Sequence, residues 1–121
     1  MKSKTIQIYE PMFNAEFLVQ KGGSPNTLLK RYAKKMGIDP WIIEENTRRM
    51  GHFASFGKHK GGAIWFADKA GLGTVAHECF HATFQVLRFS GIKLSETSEE
   101  TYAYYLQFLI NKIMVKLFGW K

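Results

Sequence analysis

The sequence predicts an α+β fold in which a small antiparallel or mixed sheet packs on helices. Three observations carry that expectation. Short runs rich in strand formers, Thr5 to Tyr9, Ala15 to Val19 and Gly61 to Ala67, are set off by Pro and Gly. Ser24-Pro25 and Asp39-Pro40 each place an N-cap and a first-turn proline ahead of a helical stretch. Beyond residue 74 there is no proline, and two long segments, Val75 to Phe89 and one opening near Thr97 and running to Leu117, read as further helices. With 121 residues and 45% hydrophobic content, residues 1–121 are expected to form a single domain with its own core. No repeat, low-complexity tract or linker marks a boundary.

Taken in order, Thr5 to Tyr9 and Ala15 to Val19 flank Pro11, which predicts a bent strand or hairpin. A basic helix from Asn26 to Met36 is stopped by Gly37, and a second from Trp41 to Met50 by Gly51. Gly51 to Lys60 has the Gly and Lys content of a mobile hairpin. It carries His52 and His59, whose spacing matches no metal template, so both read as surface loop residues, with an alternative ligand or a group supporting a site as the competing role. Gly61 to Ala67 is a strand that begins at paired glycines and ends at Asp68. Whether it lies inside the sheet or at its edge is open.

The stretch that names a chemistry is His77-Glu78-Cys79-Phe80-His81. Gly71 and Gly73 end a loop, Thr74 is a plausible N-cap, and no breaker follows until Gly91. On such a helix, residues four apart lie about 40° apart around the axis and about 6 Å apart along it, so His77 and His81 converge on one face. A zinc ion fits between two such rings, and Glu78 is placed to act as general base on a water at the metal. Val75, Ala76, Cys79, Phe80, Ala82, Phe84, Val86 and Leu87 make the helix apolar on most sides, so it belongs in a core. Burying imidazoles and a carboxylate there costs several kcal/mol unless they are paired or metal-bound. The competing role is a core helix whose histidines bond carbonyls or carboxylates. Cys79, about 200° from His77, reads as core packing.

Catalytic zinc takes three protein ligands and keeps one position open. After the turn at Ser90 to Ser95, the last helix can fold back along the first, and Ala103 offers a small surface for close approach. Glu100 is then the expected third ligand, with Glu99 as its alternative. Thr97-x-x-Glu100 is also a capping box, which would turn Glu100 to a backbone N–H instead. Tyr102, Tyr104 and Tyr105 include candidate donors to an oxyanion, but their helical spacing suits a core and none is assigned a catalytic role. Leu106, Leu109, Ile110, Ile113 and Leu117 form a stripe that marks either core or the contact of a homodimer.

These residues resemble those of the gluzincin zinc peptidases, which carry His-Glu-x-x-His on one helix and a glutamate ligand on the next. Glu99-Glu100-Thr101-Tyr102-Ala103-Tyr104-Tyr105 is similar to the aminopeptidase run around that glutamate, with Glu in place of Asn at position 99. The likeness covers about residues 63 to 106. The chain also resembles small phage-encoded proteins with a His-Glu-Cys-x-His-Ala helix followed by a Glu-bearing helix. These resemblances imply a minimal zincin-like domain, a zinc-dependent metallopeptidase with His77, His81 and Glu100 on Zn2+ and Glu78 as base, and a peptide or protein substrate. They also imply that the strand at 61 to 67 is an edge to which an extended peptide can pair.

The net charge of +7 is concentrated in Lys30, Arg31, Lys34, Lys35, Arg48, Arg49, Lys58 and Lys60. Aromatic interleaving and DNA-reading motifs are missing from these runs, so nucleic acid is disfavoured as a partner. An inactive zincin-like module that binds a protein or nucleic-acid partner through this basic surface is the rival expectation. A lone cysteine excludes an intramolecular disulfide and a cysteine-rich structural zinc site. With no apolar leader or span in view, the expectation is a cytoplasmic protein with no membrane association, in the host cytoplasm if phage-encoded.

Overall fold

The computed structural model describes residues 3–39, 48–57 and 59–121. They form an α+β arrangement of seven elements: β1 (Lys4–Glu10), β2 (Ala15–Lys21), α1 (Pro25–Met36), β3 (Gly51–Ala54), β4 (Gly61–Phe66), α2 (Leu72–Phe89) and α3 (Glu99–Leu117). The sheet is mixed, in the order β1-β2-β4-β3. β1 and β2 make the expected antiparallel hairpin, with Ile8 opposite Phe17 and Glu10 opposite Ala15. β2 runs parallel to β4, and β3 runs antiparallel to β4 at the far edge.

Strand alternation divides the core in two. Phe17 and Val19 of β2 and Ile64 and Phe66 of β4 face one side, where they pack with Val75, Cys79, Ala82 and Val86 of α2 and Leu109, Ile113 and Leu117 of α3. Leu18, Ala63 and Trp65 face the other side and meet Leu28, Leu29 and Tyr32 of α1. β4 is therefore buried on both faces, an inner strand, and the expectation that it forms an edge is corrected. Its paired glycines have a steric reason. A Cβ on Gly61 would lie 2.0 Å from the Glu16 carbonyl oxygen, and one on Gly62 would lie 2.2 Å from that of Ala54.

α1 begins as expected, with the Ser24 hydroxyl accepting from the Asn26 N–H and Gly37 closing the helix in the left-handed region at φ 69°. Of the helix expected over Trp41 to Met50, residues 41–47 lie outside the described residues, and Arg48 to Met50 are not helical. The expected mobile hairpin over 51 to 60 contains strand β3 instead, held by pairs from Gly51↔Phe66 to Ala54↔Ala63.

α2 starts at Leu72 with Gly71 as its cap, so Thr74 lies inside the first turn and not at the cap. α3 is capped at Ser98 without a side-chain cap bond, and the capping box expected from Thr97 and Glu100 does not form. Ser98 instead hydrogen-bonds within the preceding turn, donating to the Lys93 carbonyl and accepting from the Ser95 N–H. Tyr102 ties α3 to the end of α2, its hydroxyl donating to the Ile92 carbonyl at 2.6 Å and its ring near Phe84. Leu109, Ile113 and Leu117 are core, with Leu106 and Ile110 packed beside them, while Ala103 is exposed and makes no close approach. No helix among the described residues is long and apolar enough to cross a membrane.

Candidate metal centre on the second helix

The i, i+4 spacing on α2 does what helical geometry requires. The Nε2 atoms of His77 and His81 lie 3.2 Å apart, with ring centroids at 4.8 Å and planes nearly perpendicular. Two nitrogens bound to one tetrahedral zinc, each at about 2.0–2.1 Å, lie about 3.3 Å from each other. The pair therefore fits two vertices of a metal site. The same separation also suits a shared N–H···N hydrogen bond, so either a proton or a cation can hold the rings together.

The expectation that both imidazoles sit in a core is corrected. His77 and His81 are exposed on the outward face of α2, whereas Glu78, one step round the helix, is 8% exposed. The burial cost therefore falls on the carboxylate alone. Burial pushes the Glu78 carboxyl upward, opposed by His77, His81, the Phe53 backbone N–H and Arg49. Its Oε2 is 3.9 Å from His77 Nε2. A carboxylate with raised proton affinity beside two imidazoles is suited to take and return a proton.

β3 builds the wall on this side. Gly51 is pressed onto α2, where a Cβ would lie 2.8 Å from Thr74 Cγ2 and 2.9 Å from Glu78 Cγ. Arg49, Gly51, His52, Phe53, Ser55, His77, Glu78, His81 and Gln85 border a cleft of about 420 Å³. Gln85, the next residue along the histidine stripe, secures the floor: its Oε1 accepts from the Gly61 N–H at 3.0 Å and its Nε2 donates to the His59 carbonyl at 2.7 Å. α2 is thereby tied to the start of the inner strand.

His52 is not the surface loop residue expected. It sits in β3 opposite Trp65 and is one of the residues that border the cleft. Arg49 Nη1 donates to its Nδ1 at 3.2 Å. Arginine has no lone pair to offer in return, so the imidazole proton belongs on Nε2 and neither nitrogen is free for a cation. Burial first, then Arg49, lowers the His52 pKa. His59 is exposed, as expected.

The structure does not bring Glu100 to the histidine pair. Glu99 and Glu100 are exposed in the first turn of α3, where their charge complements the helix dipole. Among the described residues, no three His, Cys, Asp or Glu side chains come together as a metal-holding group. Tyr102 and Tyr105 are buried in the core and Tyr104 is exposed. Cys79 is buried, as read from its position opposite the pair. The contribution of Arg49 is absent from the sequence reading. The chain matches no family model, and neither curated proteins nor solved structures show a significant match to it.

Proposed function

We propose that this cleft is a zinc-dependent hydrolytic site acting on peptide bonds, in the manner of the zincin-like metallopeptidases its motif resembles. The observation that carries the reading is the 3.2 Å approach of two Nε2 atoms on an exposed helix face, directly beside a buried carboxylate. His77 and His81 would hold the ion. Zinc, when bound, supplies a Lewis acid that acidifies water and polarises a carbonyl. Glu78 receives the proton of the attacking water on its carboxylate and returns it to the leaving amine. β3, paired on one side only among the described residues, offers backbone N–H and C=O groups that can orient an extended peptide, the role first expected of residues 61 to 67. Glu100 remains the proposed third ligand, which requires the first turn of α3 to move toward the pair. The protein would act in the cytoplasm, that of the host if it is phage-encoded.

One observation favours the rival reading, an inactive module that binds a partner through its basic surface: among the described residues, no third ligand stands beside the histidines. Metal analysis separates the two. Purified protein should carry close to one zinc per chain, lost in His81→Ala and in Glu100→Ala. Glu78→Gln should keep the metal and lose peptide hydrolysis by about 10²- to 10⁴-fold. Protein that takes up no zinc from excess would falsify the hydrolytic reading. Zinc lost with His81→Ala alone would remove Glu100 from the ligand set.

A further inference from the structure

A second cavity lies between α3 and the β1–β2 turn, and its chemistry is unlike the rest of the surface. It measures about 390 Å³ and is lined by Glu10, Pro11, Met12, Phe13, Thr101, Tyr104, Tyr105 and Phe108. Thr101, Tyr104, Tyr105 and Phe108 recur at helical spacing, so one stripe of α3 forms its wall. The turn following β1 forms the other. Four aromatic rings border it, with Phe13 and Tyr105 centroids at 5.9 Å and planes inclined by 49°, and Tyr105 and Phe108 at 6.3 Å and 55°. Such tilted rings enclose a space instead of stacking to fill it. At the rim, Met12 is 79% and Tyr104 66% exposed.

The floor holds the one charged group of the lining. Glu10 is 5% exposed, and its carboxylate accepts backbone N–H bonds from Met12 and Phe13. Two N–H groups leave part of a carboxylate's capacity of about four acceptor sites unused. Among the described residues, no Lys, Arg or His forms an ion pair with it. The Tyr105 hydroxyl is buried beside it, and burial first, then the Glu10 carboxylate to which it can donate, raises the proton affinity of the phenol. In a chain of net charge +7, this cavity has an acidic floor and aromatic walls, with no basic side chain among the described lining residues; the nearest cation on its walls is the Lys112 ammonium, 5.8 Å from the centroid of the Phe108 ring.

A carboxylate among aromatic rings, whose faces carry negative potential, is a set of groups that attracts an organic cation and repels an anion. A neutral apolar ligand would fill the walls and leave Glu10 buried without a counter-charge. An inorganic cation would find one carboxylate and no further acidic ligands. We propose that this cavity binds an alkylammonium group, carried by a small molecule of about the size of choline. The volume falls within the range of about 300–1,000 Å³ usual for small-molecule sites. The site uses none of the residues of the His77–His81 cleft, so it does not depend on metal or hydrolysis.

The test uses the whole chain and three probes: choline, its neutral isostere 3,3-dimethyl-1-butanol, and N-acetyl-lysine methylamide. Binding is followed by titration calorimetry and by amide shifts of Met12, Phe13 and Thr101. Choline should bind at least about tenfold more tightly than the neutral alcohol, since desolvated cation–π contacts favour only the charged head. Tyr104→Ala, at an exposed position, should weaken choline while the fold stays intact. Glu10→Gln should abolish the preference for charge. A tighter grip on the lysine derivative than on choline would overturn the small-molecule assignment and point to a protein side chain as the occupant. Equal binding of choline and the alcohol, no binding of either ammonium probe, or shifts confined to other residues would overturn the proposal.

Discussion

The two flanks of α2 have been given different work. On the β3 side the helix meets Gly51, Phe53 and Arg49, and it buries one carboxylate next to the histidine pair. On the α3 side its own Phe84 lies near Tyr102 and it packs on a core of Leu109, Ile113 and Leu117, and the carboxylates of that helix face solvent. Both flanks grip the same helix. The difference teaches that cohesion here is concentrated on the helix–helix side and polar chemistry on the sheet-edge side. Substitutions should divide along the same line.

The largest effect is expected on the apolar flank. Leu109→Ala removes a fully buried side chain and should cost about 2–5 kcal/mol in urea unfolding. Zinc uptake by the folded protein should stay unchanged. A fall in zinc affinity in step with stability would break the comparison. Next comes Gly51→Val, whose added atoms collide with Thr74 and Glu78. Overpacking of this kind costs about 1–3 kcal/mol, and because it displaces the proposed base it should reduce hydrolysis more than zinc content. A variant that keeps both its metal and its turnover would count against the assignment of Glu78.

The smallest effect separates the flanks by pH. The His52 pKa is lowered from 6.5 in the fold, so as pH drops below that value the unfolded chain takes up a proton that the native state refuses. Stability tied to His52 is therefore present above about pH 6.5 and is lost as pH falls toward the folded value. His52→Gln should flatten that decline in urea melts, while Leu109→Ala should shift the whole curve without changing its slope.

Much of the α3 side was legible in local pattern. Leu109, Ile113 and Leu117 mark a buried stripe by spacing alone, and the convergence of His77 with His81 follows from four residues of helix. The outward aim of Glu100 was legible too, for it lies two residues, about 200°, from the buried Tyr102. That inference requires Tyr102, Tyr105 and Leu109 to be read as one face before a ligand is assigned. The start of α2 was harder. Gly71 and Gly73 speak against a helix, yet the first turn tolerates Gly73 because nothing packs there. The β3 wall was the least legible. Four residues, Gly-His-Phe-Ala, are too few to display a period, and their place beside α2 comes from a register with Phe66 and Trp65 more than ten positions away. Arg49 reaches the cleft only through that pairing.

The single sulfhydryl of the chain sits at the back of the histidine turn, fully enclosed, its ionisation pushed up to about 12 by burial and then by Glu78. A thiol-reactive dye can reach it only when α2 peels away from its neighbours, so the rate of labelling is a clock for the opening of this one helix. An ion that also drew a ligand from another element would slow that clock in proportion to its grip, whereas one held by the two rings of α2 alone would leave it unchanged. A silent core atom thereby becomes a gauge of that bridging that needs no substrate.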